Sequence, residues 1–115
     1  MNNMTTNRLE LISEMLEKNP DDTFLNYAAA LEYKKDNAPK KAISIFKKII
    51  DMDPDYLATY YQLGKLLEDA GKTEEAIKIY RKGHKLAREK KDVKAMGELS
   101  EALLILGDEE GDKMW

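Results

Sequence analysis

The stretch YYQLGKLLEDAGKTEEAIKIY, Tyr60 to Tyr80, has a weaker copy of itself 34 residues earlier in the chain. Moving the register back by 34 places Tyr27 on Tyr61, Ala42 on Ala76, Ile43 on Ile77, Ile45 on Ile79 and Phe46 on Tyr80. A further shift puts Pro20 on Pro54 and Ile12 on Phe46. A period of that length belongs to proteins built by stacking one small unit on the next, because no single unit buries its own apolar face. The chain is therefore expected to be a row of similar elements.

Each unit reads as two helices joined by a tight turn. Tyr60, Leu63, Leu67 and Ala70 recur at three- and four-residue steps, the spacing that lines one face of a helix. Gly71 stops that helix, since glycine enters the left-handed conformation of a helix C-terminus without Cβ strain. Thr73 is placed to cap the next helix, and Glu74 and Glu75 put negative charge in its first turn, where the helix dipole favours it. Ala76, Ile77, Ile79 and Tyr80 restart the apolar pattern. The small residues Gly64, Ala76 and Gly83 allow two helix backbones to approach closely, which predicts an antiparallel pair.

With these residues in place the chain resembles the tetratricopeptide repeat family. The copy over 57–90 meets the family pattern of aromatic, Leu-Gly, large apolar, Ala, aromatic and small with Tyr60, Leu63-Gly64, Leu67, Ala76, Tyr80 and Gly83. The copy over 23–56 keeps Ala29-Ala30, Tyr33, Ala42, Phe46 and the closing Pro54, but has Asn26 at the first aromatic position and Asn37 where the turn glycine stands. The resemblance implies an all-α fold, a right-handed α-solenoid of antiparallel helix pairs with about six helices.

The remaining segments fit around the two repeats as one helical domain over 1–106. Leu9, Ile12, Met15 and Leu16 form a helical stripe over 5–18 that ends at Asn19-Pro20. By register it is a second helix without its first, and it covers the face of the first complete repeat. Asp21 or Asp22 caps the next helix, and Pro39 suits the first turn of the one after. The second repeat has Ala87-Arg88 where the first has Asp53-Pro54, so its last helix is expected to run on. Asp92 starts a final capping helix over 92–106 whose stripe is Val93, Met96, Leu99, Leu103 and Leu106, with Lys94, Glu98 and Glu101 supplying the polar outer face that a terminal repeat needs. The segment 107–115 lacks periodicity and reads as a flexible acidic tail, with Met114-Trp115 a candidate to dock in a groove.

Composition narrows the function. A net charge of −3 lacks the concentrated basic surface that nucleic acid requires. Cysteine is absent, which removes disulfides and thiolate chemistry. No apolar run approaches the roughly 20 residues of a membrane span, and MNNMTTNR does not have a signal peptide's layout, so the chain reads as cytoplasmic. His84, the only histidine, is expected at the surface or partly packed, with no companions at metal-ligand spacing. Neighbouring carboxylates such as Glu74-Glu75 point in different directions on a helix, and Gly64, Gly71 and Gly83 follow the repeat and do not form a phosphate loop. No catalytic residue, metal, cofactor or small-molecule substrate is expected, and the reading is not an enzyme.

What remains is binding. In the family the first helix of each pair lines a concave side, and ligands mostly touch its second, fifth, ninth, twelfth and thirteenth positions. The resemblance assigns those to Phe24, Tyr27, Leu31, Lys34 and Lys35, and then to Ala58, Tyr61, Lys65, Glu68 and Asp69. The selected partner-binding residues are Phe24, Tyr27, Leu31, Lys34, Tyr61, Lys65 and Glu68, an apolar floor with a charged rim that suits a peptide or helix of another protein. The alternative for Tyr27 and Tyr61 is packing between repeats or under a neighbouring helix. Family members that clamp the acidic C-terminus of heat-shock chaperones use lysine and asparagine at the fifth and ninth positions, where this chain has Tyr27, Leu31, Tyr61 and Lys65. The alternative to a scaffold that binds a partner is a homodimer formed through the same apolar surface.

Overall fold

The computed structural model describes residues 4–108. Those residues form six helices and no strand: α1 (Met4–Lys18), α2 (Thr23–Lys35), α3 (Pro39–Met52), α4 (Ala58–Asp69), α5 (Thr73–Glu89) and α6 (Val93–Ile105). Contacts join α1 to α2 and α2 to α3, and likewise α4 to α5 and α5 to α6. The helices thus form two compact units that divide between Tyr56 and Leu57, where one repeat gives way to the next.

In the first unit, Asp22 caps α2 by accepting a hydrogen bond from the Leu25 amide at 2.8 Å. Asn26, the misfit at the aromatic position, is buried and has a different task. Its Nδ2 donates to the carbonyl oxygens of Pro20 and Asp22, at 3.0 and 2.8 Å, and so fixes the chain entering α2. Lys48 donates to the same Pro20 carbonyl at 3.1 Å, tying α3 to that entry. Pro39 starts α3 at its first position, where a missing N–H costs nothing. Ala42, Phe46 and Ile49 bury the apolar side of α3. Between α1 and α2, the Arg8 guanidinium lies 3.4 Å from the buried Glu32 carboxylate.

The second unit rests on two reciprocal close contacts. A Cβ added to Gly64 of α4 would lie 2.2 Å from the Tyr80 ring of α5, and one added to Gly83 of α5 would lie 2.6 Å from the Tyr60 Cβ of α4. As numbers rise along one helix they fall along the other, so the pair is antiparallel and each glycine receives an aromatic from across the interface. Helix α5 is longer than α3, 17 residues against 14, because no proline stands where Pro54 ends the first repeat. Asp92 caps α6 through the Ala95 amide at 3.0 Å.

Two expectations need correction. Thr73 is not a cap but the first residue of α5. The capping position falls to Lys72, whose ammonium is a donor with no acceptor to offer the first amides of α5. Asp108 does not belong to a flexible tail. It is buried and receives two hydrogen bonds from Arg81, Nε to Oδ2 and Nη2 to Oδ1, each 2.8 Å. Residues 109–115, including Met114-Trp115, lie outside the described residues.

Four helix ends share one device. After α2, α4, α5 and α6 a residue with positive φ follows the cap: Asn37 (60°), Gly71 (78°), Lys91 (58°) and Gly107 (80°). At each, that residue's amide bonds back three residues and the next amide bonds back five, as in Gly71 to Glu68 at 2.9 Å and Lys72 to Leu67 at 2.8 Å. This paired motif satisfies carbonyls that would otherwise end the helix unpartnered. Lysine is the poorest of the four for that backbone. Lys91→Gly is therefore expected to stabilise the fold by about 0.5–1 kcal/mol in urea unfolding, and an unchanged or lower midpoint contradicts the strain assigned to Lys91.

Candidate interaction surface

The selected residues occupy α2 in one unit and α4 in the other. On α2, Tyr27 is half-buried and held by two rings of its own unit: Phe46 edge-on at 5.7 Å between centroids and Tyr56 tilted at 5.3 Å. One part of the ring is fixed while another still meets solvent. Leu31 is half-buried and Lys34 is exposed one turn further on. Phe24 does not join them. It is 68% exposed and lines a shallow apolar groove with Arg8, Leu11, Ile12, Met15, Leu25 and Ala28. The second position of α2 thus points towards α1, and repeat position alone did not tell this.

On α4, Tyr61 is half-buried with its ring tilted against Tyr80 at 6.2 Å. The Tyr80 hydroxyl donates to Glu68 Oε2, and the Lys65 ammonium lies 3.9 Å from the same oxygen. Tyr61, Lys65, Glu68 and Tyr80 therefore form one cluster on the α4–α5 pair. Burial pushes the Tyr80 hydroxyl's pKa upward, and the Glu68 carboxylate that accepts its proton pushes it further. Tyr80 stays a neutral donor, and Glu68 keeps its place as an acceptor. Tyr80 was legible as core; its hold on Glu68 was not, since a partner twelve residues away is set by packing. Lys41 lies 5.4 Å from the Tyr33 ring centroid in the first unit, another contact between a second helix and a first.

A model of the tetratricopeptide repeat family matches residues 33–97. The chain belongs to the tetratricopeptide repeat family. A crystal structure of a tetratricopeptide repeat domain protein from Salinibacter ruber is 40% identical over 75% of this chain and 96% of that chain, with a TM-score of 0.71. A solution structure of such a protein from the same organism gives 40% identity, 76% and 88% coverage and a TM-score of 0.72. The crystal structure of MamA is 18% identical over 96% of this chain and 64% of that chain, with a TM-score of 0.76, a likeness of fold. A comparison with curated proteins found no match. The family's helix-pair repeats generally serve interaction between proteins and not catalysis.

The groups that titrate sit in the repeat's packing. Among the described residues no three histidine or acidic side chains are grouped as metal ligands, and no helix is long and apolar enough to cross a membrane. His84 departs from the surface or partly packed position expected of it. It is fully buried in α5, one residue after Gly83, where the close approach of α4 draws that side of the helix inward. Burial lowers its pKa from the ordinary 6.5, and the Arg88 charge lowers it further. The unfolded chain therefore takes up the proton first as pH falls below about 6.5, and folding stability is lost in that range. Thermal unfolding between pH 7 and 5.5 is expected to show a falling midpoint that His84→Gln flattens; parallel slopes in the two proteins contradict this origin.

Proposed function

We propose that this repeat protein is a scaffold that holds a peptide or helix of another protein against the exposed sides of its first helices. Tyr27 and Leu31 on α2, and Tyr61 on α4, supply apolar anchoring. Lys34, Lys65 and Glu68 supply charged selection at the edge. The observation that carries the reading is the state of the two tyrosines. Each is half-exposed and already fixed by a ring on its own second helix, so docking against it costs little further ordering. The Lys65–Glu68–Tyr80 cluster adds the same quality to the polar contact, because the carboxylate is oriented before a partner arrives.

Phe24 lies outside this reading, since it faces the α1 groove. Replacing Tyr27 or Tyr61 would disturb packing together with binding, so exposed charges make the cleaner probe. A photo-crosslinking residue placed at Lys34 or Lys65 is expected to capture the same protein from source-cell lysate. A Lys34→Glu, Lys65→Glu double variant with an unchanged unfolding midpoint is expected to lose at least about tenfold in affinity for it. Equal binding by the double variant contradicts the assignment to α2 and α4.

A further inference from the structure

Helix α5 carries a row of charges along one face. Glu74, Lys78, Arg81, Lys85 and Arg88 follow one another at steps of four and three residues, the spacing that stacks helical side chains in line. The row is acidic in the first turn and basic from Lys78 on. Arg81 is already engaged: it donates to Asp108, Nε to Oδ2 and Nη2 to Oδ1, each at 2.8 Å. Lys85 and Arg88, the next two places in the row, are exposed, and among the described residues neither forms an ion pair.

The sequence that follows Asp108 matches this row. Asp108, Glu110 and Asp112 alternate with Glu109 and Gly111, so an extended chain sets the three carboxylates on one side. Two residues of extended chain advance about 6.6 Å and four about 13 Å. Measured from Arg81, Lys85 lies about 6 Å and Arg88 about 10.5 Å along a helix. Glu110 thus falls opposite Lys85, and Asp112 comes within reach of the long Arg88 side chain. Direction follows from the turn and from charge. The paired backbone bonds that reverse the chain after α2, α4 and α5 also close α6, with the Gly107 amide on Leu104 and the Asp108 amide on Leu103, both at 3.0 Å. Helix α6 comes back along α5 from Asp92 to the level of Arg81, so a reversed chain heads towards Arg88. The opposite course passes Lys78 and sets Asp112 against Glu74, two like charges.

We infer that residues 109–112 form an extended strap along α5, with Glu110 on Lys85 and Asp112 on Arg88, continuing the ladder that Asp108 and Arg81 begin. The basic row of α5 is thus a site for a segment with carboxylates at alternate residues, and the chain supplies its own occupant. Exposed ion pairs are weak one at a time. Here the first rung is bidentate and its carboxylate is buried, so the next two form at the high effective concentration of a chain already anchored. The strap uses none of the seven selected binding residues, and its failure leaves the proposed function standing.

The chain has no cysteine, so introduced pairs report proximity without interference. In the full chain, Glu110→Cys is combined with Lys85→Cys in one variant and with Lys78→Cys in another. Both α5 positions are exposed, and each variant is expected to keep the wild-type helicity. Lys78 is the nearer of the two to Arg81, so a segment that does not lie on α5 joins it at least as fast. With the strap in place, mild oxidation is expected to close the Lys85→Cys pair within one chain about tenfold faster than the Lys78→Cys pair. Adding Arg88→Gln, or high salt, is expected to remove most of that advantage. Equal rates, or faster closure of the Lys78→Cys pair, overturn the inference. An advantage that survives both Arg88→Gln and high salt overturns the ladder of ion pairs. Disulfides formed mainly between copies put the segment on a neighbouring molecule and overturn it too.

Discussion

The fold turns on two helices being able to touch at a glycine. Gly64 lies under the Tyr80 ring and Gly83 against the Tyr60 Cβ, each too close for a side chain of any size. That proximity brings Tyr61 and Glu68 to Tyr80, and it is why the ring is buried and its hydroxyl neutral. The first unit solves the same packing with the bulk transposed. At the positions of Tyr60 and Gly83 it has Asn26 and Ile49, so the large side chain comes from the second helix and the small polar one from the first. Asn26 can then use its amide to hold the Pro20 carbonyl. Interiors pack to a fixed density, and exchanges that conserve volume across a contact are the ones they tolerate.

The turns complete what the glycines begin. Each helix end with a positive φ closes with the same pair of backbone bonds, and after α2, α4 and α5 this reverses the chain within a few residues. The inner first helices then expose tyrosine edges and charges, while α1 and α6 expose leucine, methionine and isoleucine.

Much of this was legible in the sequence. The 34-residue period gave both whole repeats, and a cap at Asp21 or Asp22, the cap at Asp92 and the proline at the start of α3 followed from local chemistry; the structure chooses Asp22. The turn at Lys91 was hidden, because a lysine announces no left-handed backbone; the motif is imposed by the helices it joins. The register of α6 depends on the greater length of α5 and so on where an unstopped helix ends, which no residue in α5 marks. His84 looked like a surface or partly packed residue among lysines, yet the helix face it shares with Tyr80 and Gly83 is the one drawn inward. Asp108 followed a glycine in an acidic run, and only the structure brings Arg81 to it across 27 residues of sequence.

The close contact itself is open to direct measurement through a double-mutant cycle in urea on Gly64→Ala and Tyr80→Leu. Alanine favours a helix interior over glycine by about 1 kcal/mol, so on propensity alone Gly64→Ala stabilises α4. The account predicts the opposite: a loss of about 1–3 kcal/mol from overpacking against the ring, falling to near zero or reversing in the Tyr80→Leu background. A Gly64→Ala protein as stable as the wild type, or a cost that is the same with and without the Tyr80 ring, would contradict it.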